Sequence, residues 1–217
     1  MHKQTVQQKV ALLIDYFSCT MPNPKSELSY LDIYQLTVAV VLSAQCTDKR
    51  VNIITPPLFD KYTDFFALAS ASQNDVFQLI KSCTYPNNKS KNLINLAKTV
   101  VKDYNGTLPN DRDQLCTLPG IGRKTANVIC SVAFGMPYFA VDTHVFRVAN
   151  RIGIANAKTP LQTEEQLTAL FPDEVIPNAH HWLLLHGRYC CKASSPNCRN
   201  CSVSSACDYF AVNHPVV

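Results

Sequence analysis

The run Leu118-Pro119-Gly120-Ile121-Gly122-Arg123-Lys124-Thr125-Ala126-Asn127 places a lysine directly behind a turn built on two glycines, and Asp142 follows in Val141-Asp142-Thr143-His144. Amides that open a helix have no intrahelical acceptor and point outward, where they can hold an anion such as phosphate. The same positive helix end disfavours a second positive charge, which favours the neutral, nucleophilic form of an amine placed there. An amine assisted by a carboxylate can attack a sugar carbon and then move protons. The pair points to covalent chemistry on a nucleic-acid backbone.

Plainer readings of both halves stay open at the level of the local sequence. The glycine run is not a P-loop, because Arg123 separates Gly122 from Lys124. It is not a dinucleotide fingerprint either, since no apolar strand precedes it and the third glycine is missing. It also reads as a corner between two helices with Lys124 merely solvated. Asp142 also reads as an N-cap, ahead of Val145, Val148, Ala149 and Ile152 on one helix face with Gly153 past the end.

The elements that must position these residues are helical. Apolar spacing predicts helices over 3–17, 29–44, 48–60, 63–69, 73–82, 88–104, 111–117, 123–134, 143–151, 163–170 and 178–188. Short Pro, Asn and Gly punctuators separate them, among them Pro56-Pro57, Pro86-Asn87-Asn88, Asn105-Gly106 and Gly135-Met136-Pro137. The reading is an all-α protein of two helical domains. A seam at Gly135-Met136-Pro137 divides it into residues 25–136, and residues 1–24 with 137–217. A cleft between the domains would set Lys124 opposite Asp142, since clefts between domains are the usual place for a ligand.

With 217 residues, 47% hydrophobic and 17% charged, the chain can bury real cores and is not a disordered tail. A net charge of +4 permits nucleic acid without requiring it. The apolar stretch at the N-terminus is cut by Asp15, too early for an export signal, and no segment is long enough to span a membrane. A cytoplasmic protein without membrane contact is expected, and in that reducing compartment ten cysteines do not imply disulfides. Cys19, Cys46, Cys83, Cys116 and Cys130 are scattered and are expected to be mostly buried, inert thiols. The other five crowd the C-terminal end. Cys191-x6-Cys198-x2-Cys201-x5-Cys207 offers four soft ligands to zinc or an iron–sulfur cluster, and spacing alone does not choose the metal. Cys190 adjoins Cys191 and complicates the ligand count.

Taken together, Leu42-Ser43-Ala44-Gln45, the glycine-lysine run, Ala140-Val141-Asp142-Thr143-His144-Val145-Phe146-Arg147-Val148, the stretch from His180-His181-Trp182 to Gly187-Arg188-Tyr189, and the cysteine loop resemble the endonuclease III family of helix-hairpin-helix glycosylases. The motifs follow in order from about residue 25 to 207. The resemblance implies a six-helix bundle beside a helical domain carrying a [4Fe-4S] cluster on Cys191, Cys198, Cys201 and Cys207. It also implies a monomer in the bacterial cytoplasm, associated with the nucleoid through double-stranded DNA that carries damaged pyrimidines or abasic sites. Lys124 then matches the nucleophile and Asp142 the catalytic aspartate of a bifunctional glycosylase and abasic-site lyase. Gly120 and Gly122 match the phosphate-holding hairpin, and Gln45 and Tyr85 the positions that fill the gap left by a flipped base. His144 and Arg147, on the helix behind Asp142, are expected to contact phosphates, whereas His180, His181 and Trp182 are expected to pack between helices. The chain departs from the family pattern at Tyr85-Pro86 and in the loop 192–197, whose basic residue is Lys192. Two alternatives remain: a monofunctional glycosylase in which Asp142 activates water, and a zinc-stabilised DNA-binding module without catalysis.

Overall fold

The computed structural model describes residues 4–214, so the expected helix start at residue 3 and the outermost residues of both chain ends lie outside it. All regular elements among the described residues are helices, as the apolar spacing requires. The chain divides into two compact units, Ser26–Phe134 and a second made of Met1–Lys25 with Gly135–Val217. The first helix, α1 (Val6–Thr20), belongs to the second unit. It opens on a capping box in which Thr5 Oγ1 accepts from Gln8 N and Thr5 N donates to Gln8 Oε1.

The unit Ser26–Phe134 contains seven helices: α2 (Ile33–Ser43), α3 (Asp48–Lys61), α4 (Phe65–Ala69), α5 (Gln73–Ile80), α6 (Pro86–Tyr104), α7 (Arg112–Thr117) and α8 (Arg123–Phe134). These are the seven that the apolar spacing predicts, one more than the six-helix bundle that the resemblance implies, and the shortest, Phe65–Ala69, is capped by Asp64. Side-chain caps open most of the others: Asp32, Thr47, Ser72 and Asp111 each accept from the amide three residues on. Helix α2 is buried over the whole run Leu36–Leu42 and forms the centre of this unit. Pro56 and Pro57, read as a punctuator although the predicted span 48–60 runs through them, lie inside α3. Both sit on its solvent side, between the buried residues Ile54 and Thr55 and the buried Leu58, so water can reach the main-chain carbonyls that their missing amides leave unpaired. Pro86 begins α6 at a position where no amide is needed.

The second unit sets α1 beside α9 (Thr143–Ile152), α10 (Pro160–Leu170), α11 (Ile176–Tyr189) and α12 (Asp208–Asn213). Its core joins Val10, Leu13 and Phe17 of α1 to Val145, Val148 and Ile152 of α9 and to Ala179, Trp182 and Leu183 of α11. Phe17 stacks on Trp182 at 5.8 Å, and the indole Nε1 donates to Met21 O at 2.8 Å. His180, His181 and Trp182 are buried in this packing, as expected. Helix α12, directly after the cysteine loop, was not predicted from the sequence.

The thiol expectation needs correction. Cys83 and Cys130 are buried, but Cys19 and Cys116 are exposed and Cys46 is half-buried. Cys19 and Cys116 lie on the outer faces of their helices, a distinction that local composition does not carry. No helix among the described residues is long and apolar enough to cross a membrane.

A buried amine ties the ends of the second unit together. Lys9 Nζ pairs with Asp208 Oδ1 at 2.6 Å and donates to Ile152 O at 2.8 Å. Lys9→Met keeps the stem and leaves that carbonyl without its partner, so urea unfolding should show a loss of about 2 kcal/mol. An unchanged midpoint would mean that the pair contributes nothing.

Candidate nucleic-acid interface and cysteine loop

The glycine run forms a helical hairpin. Helix α7 ends where Leu118 N bonds to Leu115 O, and Ile121 N then bonds to Leu118 O at 3.1 Å. Leu118 and Ile121 are buried and anchor the turn. Gly120 has φ +83°, and a Cβ there would come within 3.0 Å of Asn92 Cβ, so the position needs glycine twice over. Gly122 differs: a Cβ on it would meet nothing within 4 Å. The first main-chain bond of α8 is Ala126 N to Gly122 O at 2.9 Å, so the amides before it face outward from the helix end. Lys124 stands exposed in this first turn, and its amine makes no ion pair or hydrogen bond among the described residues.

Asp142 belongs to the other unit and caps α9. Its Oδ1 accepts from His144 N and from Val145 N, both at 2.8 Å. The cap orients the carboxylate by one oxygen and leaves the other for further chemistry, so capping and catalysis are compatible roles. His144 and Arg147 follow on the same helix. Arg147 was expected to reach phosphate, but its guanidinium turns inward. Nε donates to Cys191 O at 3.0 Å, Nη2 to Gly187 O at 2.8 Å and Nη1 to Thr143 O at 3.3 Å, and Nη2 lies 3.2 Å from His144 Nδ1. The end of α11 offers a row of carbonyls that outcompetes solvent for this fork. Close approach of α9 and α11 depends on Gly187, where a Cβ would come within 2.8 Å of His144 Cβ.

Gln45 and Tyr85 are both exposed, and both adopt left-handed backbone at φ +55° and +52°. Such geometry is costly for residues with a Cβ and marks loops whose conformation is imposed by their surroundings. Those surroundings include Lys89 and Thr84, which sequence reasoning missed. Lys89 occupies the buried stripe of α6 with Leu93, Leu96, Ala97 and Val100. A lysine in register with that stripe was the available signal.

The cysteine loop begins at the end of α11. Cys191 N bonds to His186 O, two short 3₁₀ turns follow at Cys198–Asn200 and Ser204–Ala206, and Cys207 opens α12. Cys191, Cys198, Cys201 and Cys207 share one concave space of about 340 Å³, counted with its open mouth, whose walls include Cys190 and His186. Main-chain and guanidinium donors approach the sulfurs: Phe210 N lies 3.5 Å from Cys207 Sγ and Arg151 Nη1 3.5 Å from Cys191 Sγ. Burial pushes the Cys201 thiol up to about 12 and raises Cys190 and Cys207, which disfavours their thiolate forms. Burial also lowers His186 to about 4, which makes it a neutral imidazole. His186, Cys190 and Cys201 bring their ligand atoms within 4.8 Å of one another. Of the four expected cysteines only Cys201 belongs to this close group, while Cys191, Cys198 and Cys207 line the same space around it, and thiol and imidazole donors suit a thiophilic metal. Arg151 also donates to Lys192 O and Ala193 O and lies over the Tyr209 ring at 4.6 Å, a loop brace that the sequence did not suggest.

Comparison with known proteins follows the same lines. Residues 38–173 match the HhH-GPD superfamily of base excision DNA repair proteins. Endonuclease III of Rickettsia conorii is 46% identical over 203 residues, which cover 94% of this chain and 97% of that protein. Endonuclease III of Escherichia coli is 42% identical over 188 residues, covering 87% and 89%. A trapped endonuclease III–DNA covalent intermediate superposes with a TM-score of 0.89 at 39% identity, over 96% of this chain and 99% of that one. The hairpin behind Lys124, the capped Asp142 and the cysteine loop are thus parts of a chain that belongs to the endonuclease III family.

Proposed function

We propose that this chain removes oxidised pyrimidines from double-stranded DNA and cleaves the strand 3′ to the resulting abasic site, as a monomer acting on the bacterial nucleoid in the cytoplasm. The observation that carries the reading is the uncommitted amine of Lys124, in the first turn of α8 behind the Gly120-Ile121-Gly122 hairpin. Its likeness to a protein trapped as a covalent DNA intermediate supports the same chemistry.

A damaged base inside a duplex is out of reach and is flipped out, at a cost of a few kcal/mol that is smallest for damaged pairs. Gln45 hydrogen-bonds the orphaned partner base, and the exposed ring of Tyr85 enters the stack. Amides at the start of α8 and the bare Cα of Gly122 receive a phosphate. The Lys124 amine attacks the anomeric carbon and expels the base, forming an imine with the opened sugar. Loss of a sugar proton then releases the 3′ phosphate by β-elimination, and water hydrolyses the imine to free the lysine. Asp142 stabilises positive charge on the sugar and takes part in the proton transfers.

A [4Fe-4S] cluster on Cys191, Cys198, Cys201 and Cys207 fits the donor chemistry, and Cys190 and His186 lie beside that set. Base excision needs no electron, so the cluster serves as a cross-link that holds the loop 191–207 in one conformation when bound.

Borohydride reduction on a duplex containing thymine glycol should trap wild type covalently, and Lys124→Ala should lose both the trapped band and at least about 10³-fold in strand cleavage. Base release by wild type without a band would instead favour water activated by Asp142. Neither release nor trapping would favour a DNA-binding module without catalysis.

Gly122→Ala should lower stability by less than about 1 kcal/mol, because no side chain occupies the space, yet weaken duplex binding about tenfold by blocking the phosphate. Equal binding by the two proteins would remove the hairpin from the interface. Cys198→Ala should lose the brown colour and visible absorption of the cluster, whereas Cys190→Ala should keep them. Bleaching by Cys190→Ala would place Cys190 among the ligands.

A further inference from the structure

Residues Gln45 and Tyr85 lie on different loops, one after α2 and one before α6, yet the two loops share a single buried cation. Lys89 Nζ lies 2.8 Å from Leu42 O and 2.7 Å from Ala44 O on the first loop. It lies 3.2 Å from Thr84 Oγ1 and 3.2 Å from Cys83 Sγ on the second. Thr84 Oγ1, accepting from Lys89, donates onward to Gln45 O at 2.8 Å. The Cys83 thiol donates to Leu42 O at 3.4 Å. Lys89 is only 7% exposed, and its three N–H groups face four acceptors in the two loops. The neighbouring residues on either side of this knot are the two left-handed positions.

We infer that Lys89 is a positioning residue that locks Gln45 and Tyr85 into one rigid insertion unit, so that both enter DNA together when the damaged nucleotide leaves the stack. The inference rests on the proposed gap-filling role of those two residues. Without the ammonium, the Leu42 and Ala44 carbonyls repel each other and the loops part. The backbone turns that aim Gln45 and Tyr85 then relax toward ordinary conformations. Lys89 touches neither the substrate sugar nor the orphaned base on this account. Its effect appears only where a gap must be filled.

The test compares strand cleavage at an abasic site in a duplex with cleavage of the same oligonucleotide as a single strand, under single-turnover conditions. The single strand has no partner base and no stack to fill, so the duplex-to-single-strand rate ratio isolates the insertion unit from the lysine chemistry. Lys89→Met should lower that ratio about ten- to a hundredfold. Thr84→Val, at an exposed position that tolerates the change, should lower it about threefold. In a Gln45→Ala/Tyr85→Ala background, Lys89→Met should lower the ratio by less than about twofold, since the groups it positions are gone. A ratio left at the wild-type value in folded Lys89→Met overturns the proposal, as does a full further loss in the double-alanine background. Where Lys89→Met does not fold, Thr84→Val decides, and an unchanged ratio there overturns it. If the double-alanine protein itself keeps the wild-type ratio, the gap-filling reading fails first and takes this inference with it, while the Lys124 trapping result stands apart.

Discussion

Cations closing the C-terminal ends of helices hold the irregular segments of this protein in place. The last carbonyls of a helix have no partner within it and carry the negative end of its dipole. Lys89 closes α2 through Leu42 O and Ala44 O, Lys9 closes α9 through Ile152 O, and Arg147 closes α11 through Gly187 O and Cys191 O. Arg151 extends the same pattern into the cysteine loop at Lys192 O and Ala193 O. In each case the chain leaves a helix and enters a segment with proposed chemistry or packing of its own. A carbonyl row at such an exit costs free energy if left unpaired in a half-buried place, and a cation with several donors satisfies it without an added strand or helix.

Helix beginnings do the opposite work. Lys124 stands in the first turn of α8 and Asp142 caps α9. At one start the outward amides are left for an anion that the protein does not supply. At the other, the Asp142 carboxylate uses up two amides and is thereby aimed. The same physics of unpaired amides yields a receptor in the first case and a fixed side chain in the second, and what decides between them is whether the residue before the helix has an acceptor. Gly122 has none, whereas Asp142 does.

Most of the helices were legible because apolar spacing and cap residues agree along the chain. The expected span 123–134 matches α8, and Asp142 was readable as a cap before any geometry was known. Reading failed where a side chain's partner is distant in sequence. Pro56-Pro57 read as a punctuator inside the predicted span 48–60, and the solvent exposure of that face makes the pair tolerable there. Arg147 looked like a surface base, yet its acceptors lie 40 and 44 residues further on. Lys89 drew no attention in the sequence, although its register with Leu93 and Val100 placed it inside. The four-cysteine spacing announced a metal, but the nearness of Cys190 and His186 to Cys201 depends on how the loop folds back over the end of α11.

The left-handed residues show why such braces are needed. Holding a non-glycine residue in that region costs about 1–2 kcal/mol, and both Gln45 and Tyr85 are held there. Glycine at either position would remove the cost and also remove the side chain that the proposed reading requires. The strain is therefore retained, and something nearby must offset it. Hydrogen bonds from an ammonium contribute about 1.5–3 kcal/mol each, and Lys89 makes two short ones to main-chain carbonyls before its contacts to Thr84 and Cys83 are considered. The two sums are of the same size. On that balance the buried amine is of the right size to offset the cost of the two left-handed turns.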